Sequence, residues 1–140
     1  MKKIIQSFLL ILFCTLILGL SLRGIAGNPA SSVINQPQWK EQGPFELSPE
    51  RGRFALALSI IENNSFFYSL PIARFATPDL GFKDGNYVSL FAPGISFLII
   101  PGFWFGNILG AGQVGAYAVI FLFAIANVFL LRNIQHGQSK

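Results

Sequence analysis

Residues 85–131 read GNYVSLFAPGISFLIIPGFWFGNILGAGQVGAYAVIFLFAIANVFLL, with no charged side chain among them. An apolar helix needs about 20 residues to cross the hydrocarbon of a bilayer, and this stretch is roughly twice that length. Pro93-Gly94 near its start and Pro101-Gly102 further on predict a kink or break in its first half. Such breaks are tolerated at membrane depth only where neighbouring helices or a cavity satisfy the freed backbone groups. Gly106 to Gly115 holds four glycines and no cation, and reads as a tight turn. The stretch thus divides into a Pro/Gly-kinked span at 88–109 and another at 113–131, closed by Arg132. Asn107, Gln113 and Asn127 suit interhelical hydrogen bonds better than catalysis.

A third apolar block, residues 4–22, follows Met1-Lys2-Lys3. It exceeds the apolar core of about 7–15 residues usual in a secretory signal, and Ile25 to Ala30 is a poor cleavage site, so an uncleaved anchor is the better reading. The two lysines place residues 1–3 in the cytoplasm by the positive-inside rule. The sequence therefore predicts an all-α integral membrane protein of the cell membrane, multi-pass, with three transmembrane helices. Residues 23–87 form an extracytoplasmic loop and 132–140 a polar tail. Three spans set Arg132, His136 and Lys140 outside, against the charge rule. Re-entry of the Pro/Gly-rich region without crossing is the alternative.

Composition agrees with a membrane protein: 52% of residues are hydrophobic and 11% charged, against about a quarter charged in soluble domains. The net charge of +4 is scattered, which excludes the basic stripe of a nucleic-acid binder. Cys14 is the single cysteine and His136 the single histidine, so neither an internal disulfide nor a zinc site is expected. No cofactor is identified, and a need for a divalent metal is left open.

Within the loop, Trp39 reads as an interfacial anchor. Ser48-Pro49-Glu50 is a helix start, with a capping hydroxyl, a proline suited to the first turn and an acidic side chain at the positive dipole end. A short helix follows near 49–62, with Phe54, Ala57, Leu58 and Ile61 on one stripe. Next to an anchor, such an amphipathic helix is expected to lie on the bilayer surface. Glu50 then sits at the end of an apolar face near the headgroups, where it can act as a general base or serve only as a dipole partner paired with Arg53. Asn63-Asn64-Ser65 ends the helix, and Pro71 interrupts the apolar pattern of residues 65–75. Thr77 to Gly81 is a turn, and Lys83-Asp84-Gly85-Asn86 carries a strong hairpin signal. Asp79 and Asp84 read first as turn residues, on the same membrane face as Glu50.

The run SPERGRFALALSIIEN at 48–63, followed by ATPDLGFKDGNYVSLFAPG at 76–94, resembles the N-terminal part of the GT-C membrane glycosyltransferases, the class of protein mannosyltransferases and aminoarabinose transferases. Its acidic-x-x-Arg-aromatic pattern falls on Glu50, Arg53 and Phe54, and its span-two motif on Ala92-Pro93-Gly94. The resemblance implies transfer of a sugar from a polyprenyl-phosphate donor to an extracytoplasmic acceptor, with Glu50 as general base. Arg51, Arg53, Arg74, Lys83 and Asp79 are the candidate substrate-binding residues. The family's acidic residue is commonly Asp followed by Glu, where this chain has Glu50-Arg51. Members also have many more spans, so this chain alone is expected to be too short for activity, and further transmembrane segments or subunits join membrane lipids and the lipid-linked sugar as expected partners. A non-catalytic scaffold or accessory subunit keeping the family's first three helices is the alternative.

Overall fold

The computed structural model describes residues 2–21 and 23–137. Met1, Leu22, at the end of the first anticipated span, and the tail end 138–140 lie outside the described residues. The elements run α1 (Lys2–Ser21), α2 (Pro37–Lys40), α3 (Ser48–Asn63), β1 (Phe67–Tyr68), α4 (Leu70–Ala76), β2 (Leu80–Lys83), β3 (Asn86–Ser89), α5 (Gly94–Ile108) and α6 (Gly112–Gly137). They divide into two units: Arg23–Val119, and α1 with the part of α6 from Ile120 onward.

Two parts of the expected architecture are corrected. The chain is not all-α: β1, β3 and β2 form an antiparallel sheet in that order. The Asp84-Gly85 turn supplies the hairpin, with φ of 50° and 80° and Lys83 facing Asn86. Both values lie in the left-handed region that Asp and Gly tolerate in a two-residue hairpin turn. Residues 67 and 68 then add a third strand beside Val88 and Tyr87.

Nor are there three spans. Among the described residues one helix, Gly112–Ile134, is long and apolar enough to cross a membrane, which is compatible with membrane association. Ile5–Ile17 and Gly94–Ile108 are shorter apolar helices. The reason is plain for the second. Residues 86–89 are drawn into β3, Pro93 sets the helix start, and Gly110 at φ 68° closes the turn after Ile108. What remains, with Pro101 inside it, is 15 residues, about 22 Å at 1.5 Å per residue.

The helix at α3 has the expected length but not the expected environment. Gly52 and every residue from Phe54 to Ser59 are buried, and six consecutive positions go all the way round a helix, so it has no lipid-facing side there. Helices α4 and α5 and strand β1 pack around it. Phe54, fully buried, stacks on Phe45 at 4.7 Å between centroids and meets Phe75 and Phe103 at 6.2 and 5.8 Å. Trp39 is also buried. It lies against Gly27, where an added Cβ would come within 2.6 Å of the indole, so it is a core residue and not an interfacial anchor.

The turn between α5 and α6 belongs to the same unit. Gly27 N–H donates to the Gly110 carbonyl at 2.5 Å, and Asn28 donates to the Asn107 carbonyl while accepting from Gly112 N–H, both at 2.9 Å. A Cβ on Gly106 would lie 2.8 Å from the Cα of Gly115 and 2.6 Å from the Ala111 carbonyl oxygen. The glycines therefore set a close helix–helix approach as well as a turn. Ala116 is fully buried, and Tyr117 stands edge-on to Phe45 at 6.0 Å.

Candidate functional site

The first turn of α3 gathers the residues that the sequence singles out. Leu47, in extended conformation, is the N-cap, one residue before the anticipated Ser48. Its carbonyl accepts from Glu50 N–H at 3.1 Å and Arg51 N–H at 3.0 Å. Because a leucine side chain cannot accept a hydrogen bond, only the return half of a capping box forms: Leu47 N–H donates to Glu50 Oε2 at 3.3 Å. Glu50 is half-buried. Its dipole-partner role is thus realised by a backbone contact rather than by an ion pair with Arg53.

Arg51 turns back to the preceding loop, donating from Nη1 to the Glu46 carbonyl. The carboxylate of Glu46 pairs with Arg23 at 2.9 Å. Arg53 points the other way. Its guanidinium carbon lies 4.7 Å from the centre of the Phe91 ring, a cation–π geometry, while Nη1 donates to the Pro49 carbonyl at 3.4 Å. The Arg53 carbonyl accepts from Ser96 Oγ at 2.8 Å, which ties α3 to the first turn of α5.

Gly52 permits this approach. A Cβ there would meet the Phe91 ring at 2.9 Å and the Asp79 carbonyl oxygen at 3.7 Å. The two sequence blocks 48–63 and 76–94 therefore touch at Gly52. Asp79, half-buried, closes the short turn into β2, with its N–H on the Ala76 carbonyl at 3.1 Å. Tyr68 completes the region by donating its hydroxyl to the Gly52 carbonyl at 2.9 Å. Burial pushes the Tyr68 hydroxyl pKa up, and a hydrogen bond with Ser89 partly offsets that rise.

Two candidates stand apart. Arg74 is exposed in the last turn of α4. Lys83 is exposed at the hairpin tip, four residues beyond Asp79 along β2, about 13 Å at strand spacing. No described hydrogen bond or ion pair joins either to Glu50. Phe91, Gly52, Tyr68 and Ser96 shape the region but were not singled out. The small residue between Arg51 and Arg53 is the one local signal that could have marked a close approach.

Beside this group a cavity of about 200 Å³ opens among Leu56, Phe66, Val88, Ser89, Phe91 and Pro93. Its lining is mostly apolar, and the Phe91 ring that forms one wall carries Arg53 on it. Among the described residues no three His, Cys, Asp or Glu side chains come together as a metal-ligand group. Comparison with protein-family models, curated proteins and solved structures finds no match to this chain.

Proposed function

We propose that this chain is the N-terminal portion of a membrane glycosyltransferase that moves a sugar from a polyprenyl-phosphate donor to an acceptor on the extracytoplasmic side. In this reading the N-terminus is cytoplasmic and the Arg23–Val119 unit faces outward. Bilayer lipids, the lipid-linked sugar and further transmembrane segments are its partners. The observation that carries it is the meeting of blocks 48–63 and 76–94, which brings Glu50, Arg53 and Asp79 to one end of α3 with an apolar cavity beside them.

The geometry suits the roles. The cap bond engages Oε2 of Glu50 and orients the carboxylate, leaving Oε1 to take the proton of an acceptor hydroxyl as its oxygen attacks the anomeric carbon. The Arg53 guanidinium is held by Phe91 and a single long hydrogen bond, so it keeps donors for a phosphate oxygen. The cavity is apolar enough to receive the first part of an isoprenoid chain.

The test uses the full chain in vesicles with a photoreactive polyprenyl phosphate. Labelling is expected within residues 49–97 and is expected to fall at least five-fold in Arg53→Gln. Native membranes, in which the further transmembrane segments accompany the chain, should lose transfer from a polyprenyl-phosphate sugar in Glu50→Gln, which retains the cap acceptor. Equal labelling of Arg53→Gln and the parent would overturn the reading.

A scaffold or accessory role is the second reading. It is favoured by one observation: Glu50, Arg51 and Arg53 all bond backbone groups of the loop or helix that precedes them. It predicts that Glu50→Gln changes neither stability nor any transfer in which the chain takes part.

A further inference from the structure

Helix α5 combines a covered side with an open one. Ser96, Ile99, Phe103 and Gly106 are buried against the unit, whereas Phe97, Leu98, Trp104, Phe105 and Ile108 are exposed, Ile108 at 81%. Exposed apolar area of this extent on one short helix requires a partner. Its immediate continuation is α6, the one described helix able to span. The first turns of α6 lie in the same unit, since Gln113, Ala116 and the partly buried Tyr117 pack with its core. The connecting turn is bonded to Gly27 and Asn28 on that unit.

We propose that α5 enters the bilayer without crossing it: its open side takes up acyl chains of the leaflet next to the Arg23–Val119 unit, and the turn at residues 109–111 stays on that unit's side. The occupant is lipid because the open side is continuous in sequence with a charge-free membrane helix. No charged side chain occurs anywhere from Gly85 to Leu131, so α5 and the helix that follows it bring none of the charged residues usual in the rim of a protein interface. Non-crossing follows from length and from bonding. Fifteen residues reach about 22 Å where the hydrocarbon needs about 30 Å, and a crossing would tear the turn away from Gly27 and Asn28. None of this depends on the transferase reading.

The test uses the full chain in vesicles of phosphatidylcholine and phosphatidylglycerol, in a Cys14→Ala background. Single cysteines at Leu109→Cys and Asp84→Cys are treated with a membrane-impermeant maleimide. Both should label from the same side, and a tag after residue 140 should be accessible only from the other. In a Trp39→Phe variant, Trp104 fluorescence should be quenched by lipids spin-labelled at carbon 5 of the acyl chain, and at least two-fold less by lipids labelled at carbon 12. Labelling of Leu109→Cys and Asp84→Cys from opposite sides overturns the proposal. So does a Trp104 untouched by either lipid, the result expected if a second copy of the chain covers this face.

Discussion

Phe54 and Phe8 are the same residue in two different surroundings. Phe54 is 0% exposed among Phe45, Phe75 and Phe103, whereas Phe8 on α1 is 64% exposed. Around Phe54, apolar side chains cover one another. Along α1 and the later part of α6, Leu12, Phe13, Leu16, Leu122 and Phe123 face outward. What separates the two phenylalanines is whether other parts of the chain return to cover the apolar surface. Arg23–Val119 gets that cover from segments far apart in sequence, whereas these residues of α1 and of the later part of α6 stay exposed.

The largest effect that sharpens the contrast is Phe54→Ala, expected to cost the Arg23–Val119 unit about 3–5 kcal/mol through the cavity it leaves. Phe8→Ala should change the same unfolding transition by less than about 0.5 kcal/mol. Denaturant titration in mild detergent, followed by near-UV circular dichroism, distinguishes them, and equal losses would break the comparison.

Next comes Gly106→Ala. The new methyl meets backbone of Ala111 and Gly115, so a loss of about 1–3 kcal/mol is expected. Gly19→Ala on α1, where nothing lies within 4 Å of the new Cβ, should be neutral or mildly stabilising in thermal melts.

Tyr68→Phe leaves the buried Gly52 carbonyl without its side-chain donor and should cost about 1–3 kcal/mol. The pH dependence has a fixed sign. Burial raises the folded-state pKa of Tyr68 above its ordinary value of 10.0. The stability tied to its neutral form is therefore complete below that value and falls as pH rises through the folded pKa. A parent whose alkaline destabilisation matches that of Tyr68→Phe would contradict this.

Glu50→Ala gives the smallest effect, about 0.5–1 kcal/mol from the lost contact to Leu47 N–H and the first-turn dipole, measured by the same melts. A loss above about 3 kcal/mol would mean that Glu50 does more for the fold than end a helix.

These same contrasts explain what could be read in advance. The helix after Pro49, its stop at Asn64 with φ 48°, and the Asp84-Gly85 hairpin rest on local backbone preferences and were legible. So were Glu50 at the dipole end and α6 as a membrane-length helix. The burial of α3 was not, because Phe54, Ala57, Leu58 and Ile61 make a plausible surface stripe and the cover on its other side comes from α4 and α5. The expected span at 88–109 failed for a related reason, since an apolar run does not reveal how much of it a strand will take. In the candidate site, Arg53 was legible, but Phe91, 38 residues later in the sequence, was not. Nothing local to Trp39 announced the glycine against which it packs.

The most direct measurement joins the loop after α1 to the turn before α6. In a Cys14→Ala background, Ala26→Cys and Leu109→Cys flank the bonds from Gly27 to Gly110 and from Asn28 to Asn107. A short bifunctional maleimide added to the membrane-embedded protein is expected to join the pair within one chain in high yield. Failure to join them, with each cysteine reactive from a different side of the bilayer, would mean that about 30 Å of hydrocarbon lies between them. In that case Gly94–Ile108 crosses the membrane, and the folded unit from Arg23 to Val119 does not exist in this form.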